Sequence, residues 1–184
     1  MVEILKYNDD DLKDNEIDEV VTRVRCFILS SKNYFMMEKT PENGYQLVEA
    51  YVGAKEKLEN ALKNAVYSQI GIILDEKDTI EPFFEIRHYN RDYKGTGINR
   101  LSDLIYFLVR SDKVPNYKKL KLSPEEIANM TPVELVSKTL FIKKLKDYSD
   151  SENDTIKKIR IKEILIAYDK LKSMYGLDNP PVLK

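Results

Sequence analysis

The stretch richest in chemistry is residues 87–100, RHYNRDYKGTGINR, where Arg87, His88, Arg91, Lys94 and Arg100 alternate with Tyr89 and Tyr93 and the backbone is loosened at Gly95 and Gly97. Guanidinium forks take phosphate in bidentate fashion and tyrosine rings stack on planar groups. Arg87, His88, Arg91, Tyr93 and Arg100 are therefore the candidate contacts for an anionic, base-bearing ligand. The plainer alternative is a long solvated hairpin loop whose arginines pair with Asp92 and Asp103. His88, the only histidine, reads as a strand residue with a satisfied ring rather than as a catalytic base. Asp9, Asp10 and Asp11 form an acidic run, which reads as solvated surface rather than as a cation site.

A second stretch, residues 44–72, reads GYQLVEAYVGAKEKLENALKNAVYSQIGI. It resembles the loop-helix-loop signature of the Nudix hydrolases: Gly, five residues, Glu, seven residues, Arg-Glu, an aliphatic residue, any residue, Glu-Glu, any residue, Gly and a last aliphatic residue. One register fits. Gly71-Ile72 take the closing pair, Val66 the inner aliphatic position and Glu56 the first Glu. Gly44 to Leu47 resembles the strand leading into the loop, and Ala61-Leu62 match the small-aliphatic pair of the helix. The departures are Ala50 for the first Gly, Asn64 for the Arg, Ala65 for the following Glu, and Ser68-Gln69 for the Glu-Glu pair.

The resemblance implies that in active members three carboxylates hold divalent cations, usually magnesium, which activate water and clamp a diphosphate. Hard cations take charged oxygen ligands. Ala65 has none to offer, and Ser68 and Gln69 offer only neutral oxygen. No metal site is assigned, and no cofactor. Magnesium enters only on the alternative reading, a hydrolase with relocated carboxylates, for which Glu56, Glu59 and Glu49 are the first candidates and Glu81 and Glu85 the next. Glu56 and Glu59 would share a cation if both lie on one helix face.

For the fold, the resemblance implies an α/β (α+β) chain, a Nudix-like α/β/α sandwich with a mixed sheet and extra C-terminal helices. The Nudix-like domain would span residues 1–148. A helical extension, 149–184, would pack on the domain or on a partner. The local patterns predict the elements. Val20 to Leu29 is rich in β-branched residues and reads as a strand, with a turn at 30–33 and a return strand from Tyr34 to Glu38. Thr40 to Gly44 carries a loop signal, and Tyr45 to Val52 reads as one strand. Lys55 to Ile70 has apolar residues at spacings of three and four, a helix pattern. Ile80 to Tyr89 and Leu101 to Val109 read as strands, with Pro82 near the start of the first. Leu120 to Leu122 reads as a short edge strand. Capping patterns at Ser123 to Glu126 and at Thr131 to Glu134 predict helix starts, the second helix reaching about Leu145. Asp147 to Thr155 reads as a linker or helix lead-in, and a last helical stripe runs from Ile156 to Tyr175, stopped by Gly176, with an extended tail around Pro180-Pro181.

Composition narrows the function classes. Thirty basic and 31 acidic residues in 184 leave a formal net charge of −1, so there is no basic footprint of a nucleic-acid protein. A single cysteine, Cys26, excludes an internal disulfide framework and suits a reducing compartment. It reads as a small buried hydrophobe. No apolar run reaches the roughly 20 residues of a membrane span, and a cytoplasmic protein is expected. Three functions stand open: a non-hydrolytic Nudix-like protein that binds a nucleotide-like or other phosphorylated ligand or a protein partner, a hydrolase of nucleoside diphosphate derivatives with relocated carboxylates, and a structural module, a homodimer among its forms.

Overall fold

The computed structural model describes residues 2–40, 44–120 and 133–176. Its centre is β2 (Glu19–Leu29), whose second half, Val24 to Leu29, is buried on both faces. A strand covered on both sides reads as a continuous apolar run rather than an alternating one, which is why RCFIL follows VVTRV. β2 turns back into β3 (Tyr34–Thr40), antiparallel, with Ile28 opposite Met36. Its other neighbour is distant in sequence. β7 (Arg100–Arg110) runs parallel to it from Glu19 beside Arg100 to Leu29 beside Arg110. Beyond β7 lie β6 (Thr79–Asn90), antiparallel, and β1 (Glu3–Tyr7), parallel to β6.

Three short strands complete a sheet of eight among the described residues: β4 (Gly44–Gln46) on β3, β5 (Glu49–Tyr51) on β2, and β8 (Glu134–Ser137) on β3. Helix α1 (Leu58–Ile70) covers one face with Ala61, Leu62, Ala65, Val66 and Ile70 against Val24, Cys26, Ile28, Ile105, Phe107 and Val109. Helices α2 (Lys138–Ser151) and α3 (Thr155–Tyr175) cover the other, where Phe141, Leu145, Ile161, Ile164, Ala167 and Leu171 meet Phe27, Phe35, Leu104 and Tyr106. The result is an α/β/α sandwich on a mixed sheet, as expected. The final helix sits in the same core as the sheet, and α2 runs through residue 148, where the sequence suggested a boundary.

Several expectations are corrected. Tyr45 to Val52 is two strands, because the chain leaves β3 after Gln46 and joins β2 at Glu49. The helix expected from Lys55 begins at Leu58, after a turn in which the Gly53 carbonyl accepts backbone hydrogen bonds from Lys55 and Glu56. The cap pattern at Thr131 to Glu134 does not start a helix at Val133 or Glu134. Glu134 to Ser137 pairs with β3 instead, burying Val136, and α2 starts only at Lys138, behind the Ser137 cap, whose hydroxyl accepts from Leu140 N. Pairing the open edge of β3 outweighs a cap of about 1 kcal/mol. Tyr117–Lys119 form a 3-10 turn, and Leu120 is not in a strand. Lys121, Leu122, the Ser123 cap, Thr131, Pro132, Pro41 to Asn43 and the Pro180-Pro181 tail lie outside the described residues.

Pro82 marks an irregularity that shapes the core. The register of β6 on β7 shifts between Pro82 and Phe84, where a residue without an N–H donor breaks the ladder. Phe83 and Phe84, consecutive in sequence, consequently both enter the core under α2 and α3. No helix among the described residues is long and apolar enough to cross a membrane.

Candidate functional site

In the loop-helix-loop, β5 leads through the turn at Gly53 into α1, and the three helix positions where the resemblance would put acids hold neutral residues: Ala65 in the core, Gln69 turned to β5, and Ser68, exposed, bonded back to its own helix. Ala65 is buried in the α1 core. The Ser68 hydroxyl donates to the Ala65 carbonyl at 3.2 Å. Gln69 donates its side-chain amide to the Glu49 carbonyl at 2.7 Å, tying the helix to β5. A carboxylate at 69 would set acceptor against acceptor there, and only a cation or proton between them would relieve it. Asn64 donates to Glu56 Oε1 at 3.3 Å while Glu56 Oε2 accepts from Gly53 N at 3.1 Å. The residues present do not fit a magnesium ion.

The five candidate carboxylates are dispersed. Glu56 precedes α1 and closes the turn, so it does not share a helix face with Glu59 as supposed. Glu49 belongs to Arg25, Glu81 accepts from the Tyr175 hydroxyl at 3.0 Å, and Glu85 accepts from Arg87 Nε. Among the described residues, no three acidic, histidine or cysteine side chains converge as a cation cage.

The hairpin residues separate too, since alternate residues of a strand face opposite sides. Arg87 points to the α1 side, bound to Glu85 and 3.9 Å from Asp103. His88 points the other way, its Nε2 at 2.9 Å from Glu163 and its ring stacked on Tyr7 at 4.8 Å. Arg100 pairs with Glu19 at 2.6 Å and lies 3.8 Å over the Tyr93 ring. Arg91 is exposed, 3.8 Å from Glu16. His88, Arg91 and Tyr93 line one surface cavity of about 360 Å³ with Tyr7, Asp9, Asp10 and Lys94, and Arg100 touches that group through the Tyr93 ring.

Beside Arg87, Asp103 has one buried oxygen without a hydrogen-bond partner among the described residues. Burial, then the charge and hydrogen bonding of Glu85, raise its carboxyl from 3.8 to about 6 against the pull of Arg87. The folded chain thus keeps a proton over a range in which the unfolded chain has released it. This contribution to stability is complete below about pH 4 and is lost as pH rises through about 6. Urea unfolding of the parent and of Asp103→Asn between pH 4 and 7 should show the parent losing stability relative to the variant as pH rises, by no more than about 1.4 kcal/mol per unit. Parallel curves would mean that Asp103 ionises like a free aspartate.

The most constrained ionic group escaped sequence reasoning. Arg25, 1% exposed, donates through Nε and Nη2 to Glu49 Oε2 at 2.8 and 2.6 Å, through Nη1 to the Tyr106 hydroxyl at 2.7 Å, and toward Glu163 at 3.5 Å. It links β2, β5, β7 and α3. Burial would raise the Glu49 carboxyl, but Arg25, then Arg23 and Arg160, hold it below its ordinary value. Glu163 is likewise held down, against burial, by His88, Arg25 and Arg23. The available signal was Arg25 at the edge of the apolar run of β2, flanked by Val24 and Cys26. Cys26 is buried beside α1, where burial first and Glu38 second raise its thiol, consistent with an inert side chain.

No protein-family model and no curated protein matches the chain. Among solved structures, it is similar to an Escherichia coli dihydroneopterin triphosphate pyrophosphohydrolase (TM-score 0.49, 10% identity, 79% of this chain and 95% of that one). It is similar to DR0079 from Deinococcus radiodurans (0.47, 16%, 78% and 81%). A third is the NUDIX domain of Shewanella oneidensis NrtR, solved in complex with ADP ribose (0.46, 9%, 72% and 82%). At these scores the comparison transfers no site residue, and the fold conclusion rests on the chain's own sheet and helices: an α/β/α sandwich on a mixed sheet, the architecture that the resemblance of residues 44–72 implies.

Proposed function

We propose that this is a Nudix-like protein that has given up cation-assisted diphosphate hydrolysis at the loop-helix-loop and acts by binding a phosphorylated ligand. The observation that carries this reading is the Gln69 amide bound to the Glu49 carbonyl above a buried Ala65. The helix face that would present charge to a cation is satisfied internally. Metal assistance contributes several kcal/mol by acidifying water and neutralising phosphate charge. With neutral residues at three positions at once, neither the charge nor the geometry remains. The binding half of the reading is supported by the arginine and tyrosine side chains gathered at the end of the sheet where β2 begins and β6 ends. The hairpin cavity with Arg91, Tyr93 and His88 is one anchor there.

The test is a hydrolysis screen of ADP-ribose, dinucleoside polyphosphates and nucleoside triphosphates at millimolar magnesium and manganese. We expect no release of AMP or phosphate above background. Turnover on the order of 1 per second or faster, abolished by Glu56→Gln, would replace this reading with the relocated-site hydrolase.

A further inference from the structure

On the α3 side of the sheet, β2 and β5 present two cross-strand pairs in succession: Arg25 opposite Glu49, and one step outward Arg23 opposite Tyr51. Arg25 spends its donors on Glu49, Tyr106 and Glu163. Arg23 has no carboxylate within ion-pair distance among the described residues, only the Tyr51 ring at 5.9 Å. Helix α3 adds Arg160 one turn before Glu163, on the same face by the i, i+3 rule. It also lacks a hydrogen bond or ion pair among the described residues. Both residues are half-buried, and the charge of each helps to hold the Glu49 carboxyl low. Three arginines therefore surround two carboxylates, and the unmatched charge falls on the two outer ones. A partly buried cation without a counter-charge is costly, and an oxyanion between two guanidinium forks supplies it. Tyr51 is 71% exposed, with a face open for a planar group.

We infer that Arg23 and Arg160 form an oxyanion site for a phosphate ester of a planar, aromatic group, the ring resting on Tyr51. The inference rests on the binding reading above and moves its anchor from the hairpin to the β2–β5–α3 corner. The two anchors differ in what they oppose to an anion. The hairpin cavity contains Asp9 and Asp10, whereas the carboxylates at the corner are already claimed by Arg25 and His88.

The experiment is calorimetric titration of the full chain with AMP, adenosine and inorganic phosphate. The panel includes Arg23→Gln, Arg160→Gln, Tyr51→Ala and Arg91→Gln, with thermal unfolding as a check on each variant. AMP should bind and adenosine should not. Arg23→Gln and Arg160→Gln should each weaken AMP at least tenfold, Tyr51→Ala should bring AMP down to the affinity of phosphate, and Arg91→Gln should cost less affinity than either arginine of the corner. AMP binding that depends on Arg91 and ignores Arg23 and Arg160 would overturn this site and leave the binding reading intact. No binding of AMP or phosphate at millimolar concentration would overturn both.

Discussion

Arg25→Ala should cost about 3 to 5 kcal/mol of stability, the usual loss when one member of a buried ion pair is removed. At roughly 2 to 4 °C per kcal/mol for a chain of this size, that is a fall of about 6 to 20 °C in Tm. The reason is what remains behind. Glu49 and Glu163 keep their charges under α3 without the donor that compensated them, and the Tyr106 hydroxyl, itself fully buried, loses its partner. The charge set rather than the volume carries the effect. The triple change Arg25→Met, Glu49→Leu, Glu163→Leu removes all three charges together and should recover most of the loss. Urea unfolding of the single and triple variants measures both. A single-variant loss below about 1 kcal/mol would mean that water reaches the carboxylates and screens them.

Gly71→Ala should be nearly as damaging, by about 2 to 5 kcal/mol, and for an unrelated reason. Gly71 ends α1 at φ +69°, its N–H bonded to the Tyr67 carbonyl at 2.8 Å. A left-handed alanine costs roughly 1 to 2 kcal/mol. An added Cβ would also stand 2.1 Å from the Asn116 carbonyl oxygen. That atom is backbone, so no rotamer change relieves the contact. The 113–117 segment has to move away, straining the Asn116 N–H bond to the Ile70 carbonyl at 3.0 Å. Gly95→Ala is the comparison, because it shares the positive φ but has no neighbour within 4 Å of the added carbon. It should show the conformational cost alone. Equal losses at the two positions would mean that the loop yields without cost.

The parts of this architecture legible in the sequence are those set by local pattern. The β2–β3 hairpin, the α1 stripe with its glycine stop, β6, β7 and the last helix follow from periodicity and breakers. What failed depended on distant partners. β8 carries a helix-cap pattern at its start, yet β3, far earlier in the chain, offers it an edge. Tyr45 to Val52 looks continuous, but its first part pairs with β3 and its last with β2. At the candidate site the neutral residues Ala65, Ser68 and Gln69 stood out against the signature that the stretch resembles, whereas the Gln69 contact that closes the helix onto β5 could not be read from sequence. The arginines of the hairpin were conspicuous because they cluster in sequence. Those of the corner are dispersed at positions 23, 25 and 160 and converge only through β2, β5 and α3.

The parallel seam between β2 and β7 also sets a schedule. Arg25 and Tyr106 are 81 positions apart, and parallel pairing over such separations forms slowly because its loop entropy is spent before its contacts form. At about 5 to 20 residues per second, synthesis leaves the apolar end of β2 waiting roughly 4 to 16 s for its neighbour. Through that interval its shield is what has already been made: β3 first, then β5 and α1. The nascent chain is therefore most exposed to aggregation and to chaperone capture between the emergence of these two strands, and substitutions that weaken the 30–33 turn should lower soluble yield more than they lower the Tm of the finished protein.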